Sequence, residues 1–266
     1  MAATWTEWLR NTEKGDVYFL LNTLISGNPV NRFYANDWIE EALPLYAGTR
    51  LSHLSSVGPL IIKIKWQALS AMAKILETEP FSDNSWGWAY HSTDSWDNQI
   101  THWQKYQFVM FEGEERIFRL FDARVAQVII PACTTADWSY LLMPVTDCFI
   151  STSQGNVIIT RPGSAEPKIS SDCFVLGAHL CRAWDQSAQC RVNMADNFYI
   201  QFWDEFPELA LTLDEPEGRL MTLINHSMDE YQADLIHIAY LNNDMFIRYL
   251  KKNNLTDDKS GITDAS

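Results

Sequence analysis

The sequence contains none of the short signatures that mark common catalytic centres. There is no GxSxG nucleophile elbow, no HExxH zinc helix, no phosphate-binding P-loop and no GxGxxG dinucleotide fingerprint. Cations are scarce: 20 lysines and arginines stand against 34 acids, for a formal net charge of -14. Phosphates repel so acidic a chain, which argues against nucleic acid or an anionic membrane as a partner. Long apolar runs are missing too; VYFLL and VAQVIIPA are far too short to span a bilayer. The opening MAATWTEWLRNTEKGD has neither a basic nor an apolar leader region, so the expectation is a protein without a secretory signal. The cysteines Cys133, Cys148, Cys173, Cys181 and Cys190 are odd in number, widely spaced and without a CxxC pair. That pattern fits free thiols in a reducing cytoplasm better than a disulfide framework or a zinc site.

What is present is a globular composition, 47% apolar and 20% charged, in 266 residues. The length allows one large domain or two modest lobes. Eleven tryptophans stand out. Each buries a large area wherever it packs, and tryptophan is also enriched at the centres of protein interfaces, so the count fits either a core or a binding surface.

The apolar pattern predicts a short helix over 4–13, then a strand covered on both faces at VYFLLN (17–22). A helix follows from Asn31 to Leu43, ended by Pro44. GPLIIKIK (58–65) is a second strand, and Trp66 to Leu76 an amphipathic helix with Leu69, Met72, Ala73 and Leu76 on one face. SWGWAYHS (85–92) is a third strand and Asp94 to Trp103 a helix, with Asp94 as its N-cap. YQFVMF and RIFRLF flank a four-residue turn, EGEE, as a hairpin, and Ala123 to Ile130 is helical. CFIST and NVIITR form another hairpin over 148–161. This alternation predicts a mixed α/β (α+β) lobe over 1–160, a mixed sheet flanked by helices.

Arg161 to Pro167 has the composition of a linker. Beyond it the period turns helical, giving an all-helical C-terminal lobe over 168–253: Asp172 to Ser187, Met194 to Phe206, a helix opened by Asp214-Glu215-Pro216-Glu217, Ala233 to Leu241, and Asp244 to Leu250. Residues 254–266 form a polar tail expected to be disordered.

Two places carry enough polar chemistry to weigh as sites. In HSTDSWDNQITHW, the residues His91, Asp94, Asp97 and His102 could converge on a metal, although their spacing matches no known ligand pattern. In RIFRLFDARV (116–125), arginines alternate with apolar residues. If 116–121 is a strand, either Arg116 or Arg119 must enter apolar surroundings and find a carboxylate. Asp122 also stands where the strand stops and a helix starts, so it can cap that helix and block it as a phosphate site. The reading is structural: a strand-to-helix corner locked by an arginine–aspartate interaction.

Four stretches in order, VYFLLNT, GPLIIKI, WGWAYHS and RIFRLFDARV, resemble the domain of unknown function 4123 family over about residues 15–132. In that family a Gly-Pro opens a strand, a Trp-Gly strand follows, and an Arg-x-x-Asp-x-Arg corner joins strand to helix. Here those positions are Gly58 and Pro59, Trp86 and Gly87, and Arg119, Asp122 and Arg124. The family often has proline between the Asp and the last Arg, where this chain has Ala123. Alanine loses the preorganised backbone of that first helical position and nothing chemical.

The resemblance implies a non-enzymatic adaptor chaperone of bacterial type VI secretion, without cofactor or metal. Such a protein holds a toxic effector in the cytoplasm and helps load it onto the spike protein of the secretion tube. Its partners are then the secreted effector and the spike, with no nucleic acid and no membrane. Trp184 and Trp203, in the helical lobe where the resemblance is weakest, are candidate partner-binding residues. Two other classes remain as alternatives: a metal-dependent hydrolase using His91, Asp94 and His102, and an immunity protein that neutralises a toxin.

Overall fold

A computed structural model describes residues 3–25, 28–81, 84–152, 154–166, 168, 173–232 and 240–255. The chain is mixed α/β and divides into two compact units, Met1–Ala183 and Trp184–Ser266.

The first unit is built on a six-stranded sheet. Its strands are β1 (Asp16–Leu21), β2 (Ile39–Pro44), β3 (Leu60–Ile64), β4 (Gly87–Ser92), β7 (Asp147–Thr152) and β8 (Gly155–Thr160), in the order β2-β3-β1-β4-β7-β8. Every pairing in this sheet is antiparallel. The parallel pairs expected of a mixed sheet are absent from it. The one parallel pairing among the described strands lies in a separate three-stranded sheet, where β5 (Phe108–Phe111) runs between β6 (Glu114–Ile117) and β9 (Phe174–Val175).

The continuous apolar runs have their explanation in coverage on both faces. On β1, Val17, Phe19 and Leu21 point into a core with Trp5, Trp8 and Leu9 of α1 (Trp5–Leu9) and Met72, Ala73 and Leu76 of α3 (Leu69–Thr78). Tyr18 points the other way and stacks on Tyr90 of β4 at 5.3 Å. On that second face, Trp88 and Tyr90 meet Trp103 of α4 (Trp96–Lys105) edge-on at 5.7 Å. Tyr90 is fully buried with its hydroxyl satisfied: it donates to Gln99 Oε1 at 2.8 Å and accepts from Trp103 Nε1 at 2.7 Å. A buried polar network of this kind costs little because each member has a partner.

Several elements differ from the sequence reading, each for a local reason. The stretch expected as one helix over 31–43 is a short helix α2 (Pro29–Ala35) followed by β2. Asp37 sits at a left-handed φ of 54°, which breaks the helix, and Ile39 and Ala42 then pack on the core. The hairpin turn is two residues and not four: Glu112 and Gly113 have φ of 51° and 80°, the paired left-handed geometry of the tightest hairpins. Its second strand stops at Ile117, short of Phe121. The α4 cap is Ser95, whose Oγ accepts from Asn98 N–H, and not Asp94. After α5 (Ala123–Ala132) comes a helix missed in the sequence, α6 (Thr135–Tyr140), opened by a capping box between Thr134 and Asp137.

The first unit extends past the stretch read as a linker. Phe174 pairs with Val109, which ties β9 to the three-stranded sheet. The described part of the helix expected over 172–187 is therefore β9 and then α7 (Ala178–Asp185). The boundary between units falls at Ala183, not at Arg161–Pro167.

The second unit is helical, as expected. It holds α8 (Ala188–Glu205), α9 (Pro207–Leu213), α10 (Arg219–Glu230) and α11 (Asn243–Lys252). Phe198, Phe202 and Phe246 form its aromatic centre, with Phe202 meeting Phe246 edge-on at 5.0 Å. Asp214 opens α10 differently from the expected cap: its Oδ1 accepts from the N–H groups of Gly218 and Leu220, both at 3.0 Å, and the helix starts at Arg219. The expected helix at 233–241 and the tail at 254–266 lie largely outside the described residues.

Candidate functional site

The corner at Asp122 is compact and carries charge. Asp122 is buried, and its Oδ1 accepts from the Arg124 N–H at 3.0 Å, capping α5. Arg124 Nε reaches the same oxygen at 3.0 Å and Arg124 Nη2 reaches Oδ2 at 2.7 Å. Arg119 Nη2 adds a longer contact to Oδ2 at 3.2 Å. The arginine side chains are 49% and 42% exposed, so the buried member is the carboxylate and neither guanidinium. This corrects the expectation that an arginine enters apolar surroundings. The β6 strand ends before Arg119, and the side chain is free to lie along the surface.

The other motif residues serve the sheet. Gly87 has φ of 130°, and a Cβ there would stand 1.9 Å from the Leu20 carbonyl oxygen, so only glycine lets β4 begin against β1. Beside it Trp86 is buried among Trp5, Phe19 and Phe81, stacked on Phe81 at 4.4 Å. Gly58 lies under the Tyr46 ring, where a Cβ would be 2.5 Å from a ring carbon. The Pro59 carbonyl accepts from Leu45 N–H at 2.9 Å, extending the β2–β3 pairing. Trp88 Nε1 donates to the Leu120 carbonyl at 2.7 Å, which ties the corner to the centre of the sheet.

The sequence reading missed a second polar cluster. Asp147, at the start of β7, is 1% exposed. Its Oδ1 accepts from His91 Nδ1 at 2.6 Å and Trp8 Nε1 at 3.1 Å, and its Oδ2 from Lys14 Nζ at 2.5 Å. Burial raises the affinity of this carboxylate for a proton, but the His91 and Lys14 hydrogen bonds outweigh it and hold the group below the usual aspartate range. The signal that could have found it is a fully buried strand histidine, His91, which needs a partner, and an acid opening the apolar run DCFI. A histidine held by an aspartate is also the orienting half of a nucleophile triad. Here His91 is fully buried, and its Nε2 has no hydrogen-bond partner among the described residues, hydroxyl or thiol included.

The metal candidates do not converge. His91 is spent on Asp147, and His102 Nε2 donates to the Leu141 carbonyl at 2.9 Å. Burial pushes the His102 imidazole down to about 3, so it is neutral across the physiological range. The Asp94 carbonyl and N–H serve Tyr18 and Ser92. Among the described residues no three His, Cys, Asp or Glu side chains are placed to hold a metal. The five cysteines form no disulfide among the described residues, and burial pushes the Cys133 and Cys148 thiols up, away from reactivity. No helix among the described residues is long and apolar enough to cross a membrane.

Of the two candidate partner residues, Trp184 lies half-buried near the end of α7. Trp203 packs on the edge of the helical core beside Tyr199, with a buried Nε1 that has no partner among the described residues.

No curated protein and no solved structure matches the chain. Residues 17–140 match the family model described as Domain of unknown function (DUF4123), the family that the four ordered motifs resemble.

Proposed function

We propose that this chain is an adaptor chaperone of bacterial type VI secretion. It binds a cognate toxic effector in the cytoplasm and promotes its loading onto the spike protein at the tip of the secretion tube. The observation that carries this reading is the family match over residues 17–140, which takes in all four motifs. The roles of the motif residues support it. Gly58 and Gly87 make room for close packing, and Asp122 caps α5 and holds two arginines, so the motif builds a scaffold rather than a reaction centre. Function on such a scaffold resides in surfaces that other proteins touch. The partners are the effector and the spike, and the chemistry asked of this chain is reversible recognition, in which apolar anchors supply affinity and charge supplies orientation.

Deletion of the gene in the native cell tests this. The cognate toxin should disappear from the secreted fraction while other substrates of the same apparatus are still released, and the deleted strain should grow normally. A strain that still exports the toxin but is poisoned by it would mark an immunity protein instead.

A further inference from the structure

We infer that the groove between α1 and α3 is a docking site for an acidic, apolar peptide segment of a partner protein. This rests on the reading of the chain as a protein-binding adaptor and names a surface that does the binding.

The groove has a volume of about 200 Å³ and is lined by Thr6, Leu9 and Arg10 from the α1 side and by Trp66, Leu69, Ser70, Ala73 and Lys74 from the α3 side. Leu9 and Ala73 are buried and form an apolar floor. Trp66 stands at the rim 70% exposed, the most exposed of the large apolar side chains among the described residues. A tryptophan left in water beside an apolar depression is the arrangement that becomes an anchor when a partner covers it. An apolar cavity of about 150 Å³ accepts a benzene ring, so this groove has room for one leucine or aromatic side chain and not for a nucleotide-sized cofactor.

Charge selects the occupant. The chain carries 34 acids and 20 bases, yet the charged residues lining this groove are Arg10 and Lys74. Both are exposed, and neither makes an ion pair or a side-chain hydrogen bond among the described residues. The acid next along α3, Glu77, is engaged by the Thr6 N–H at 2.9 Å. Two uncommitted cations flanking an apolar floor in an otherwise acidic protein fit a segment that sets carboxylates on either side of a leucine, phenylalanine or similar side chain. A basic segment would gain nothing here that the rest of the surface does not offer more strongly.

The test uses the full chain and labelled synthetic peptides in which Asp or Glu alternates with Leu and Phe, against the same peptides with Lys in place of the acids. Fluorescence polarisation should show salt-sensitive binding of the acidic set and none of the lysine set. Trp66→Ala and the pair Arg10→Glu, Lys74→Glu should each weaken it about tenfold or more, while melting stays unchanged because all three side chains are exposed. Arg10→Lys should retain most of the binding. Equal binding of both peptide sets, or binding indifferent to these substitutions, overturns the inference. So does a wild-type dimer that Trp66→Ala disperses in a chain that binds no acidic peptide, since the occupant is then a second copy. The two readings fail separately. If wild type and groove variants capture the effector equally well, the groove is wrong and the adaptor reading stands. If acidic peptides bind at the groove of a chain that captures no secreted toxin, the groove stands and the adaptor reading is wrong.

Discussion

The Arg124 guanidinium grips both oxygens of Asp122, at 2.7 and 3.0 Å, and the same carboxylate caps the helix in which Arg124 lies. One buried acid thus fixes where a helix starts and which way its first turn faces. The tie from Trp88 Nε1 to the Leu120 carbonyl, two residues earlier, sets that start against the middle of the sheet.

Removing the acid should therefore cost more than removing either arginine. Asp122→Ala loses the cap and the hydrogen bonds to both arginines, for about 1–3 kcal/mol in chemical denaturation. Arg119→Ala should cost under about 1 kcal/mol, because that side chain is half-exposed and its contact is the longer one. An equal loss in both variants would mean that Arg119 carries structure its exposure does not indicate.

Asp147 should matter still more. It receives hydrogen bonds from three segments, through Trp8, Lys14 and His91, and so fastens the N-terminal helix to β4 and β7. Asp147→Ala should destabilise the fold by about 3 kcal/mol or more, since it leaves buried donors unpaired. Lys14→Met, at a partly exposed partner, should cost less. Because the folded-state pKa of Asp147 is lowered, its contribution is complete above pH about 4 and is withdrawn as the pH falls further. Denaturation of the wild type and the variant at pH 7 and pH 3 checks both the size and the sign.

His102 acts in a higher pH window. Folded, it resists protonation down to about 3, while in the unfolded chain it protonates near the ordinary value of about 6.5. Between these the unfolded state binds a proton that the native state does not. Stability should fall as pH drops from about 6.5 toward 3, by up to about 1.4 kcal/mol per pH unit. A His102→Gln variant should show a flatter stability profile across that window. An unchanged slope would mean that His102 is protonated in the fold.

The sequence showed strands where both faces are buried, because such runs are apolar throughout: β1, β3, β4 and the β7–β8 hairpin all stand where they were read. It misled where tertiary context overrides local pattern. The β2 segment IEEALP carries two glutamates and reads as helix, but pairing with β3 and the packing of Ile39 and Ala42 make it a strand. Strand–helix alternation followed by a hairpin pointed to a mixed sheet, but nothing local records that β4 runs antiparallel to both β1 and β7. Asp122 was legible because it caps a helix a few residues along the chain. The Asp147 cluster was not, since His91 lies 56 residues away and Trp8 lies 139 away. The exposure of Trp66 was equally hidden: it opens an amphipathic stretch whose apolar face was read through Leu69, Met72, Ala73 and Leu76, and nothing local says on which side Trp66 falls.

Selectivity for one effector should reside in the helical unit. Exchanging Trp184–Ser266 for the corresponding unit of a related adaptor with a different effector should transfer capture to that second effector. A folded chimera that still captures the original effector at undiminished affinity would place specificity in the first unit.

If this protein works by holding another protein, the complex should be recoverable from the cell that makes it. Affinity purification of the tagged chain from its native cell, with the mass of the eluted complex measured intact, addresses this directly. A one-to-one complex with a toxin that the cell exports should elute, joined by the spike protein when loading is blocked. A chain that elutes alone, or with no exported protein under conditions where the secretion system is active, would contradict this reading.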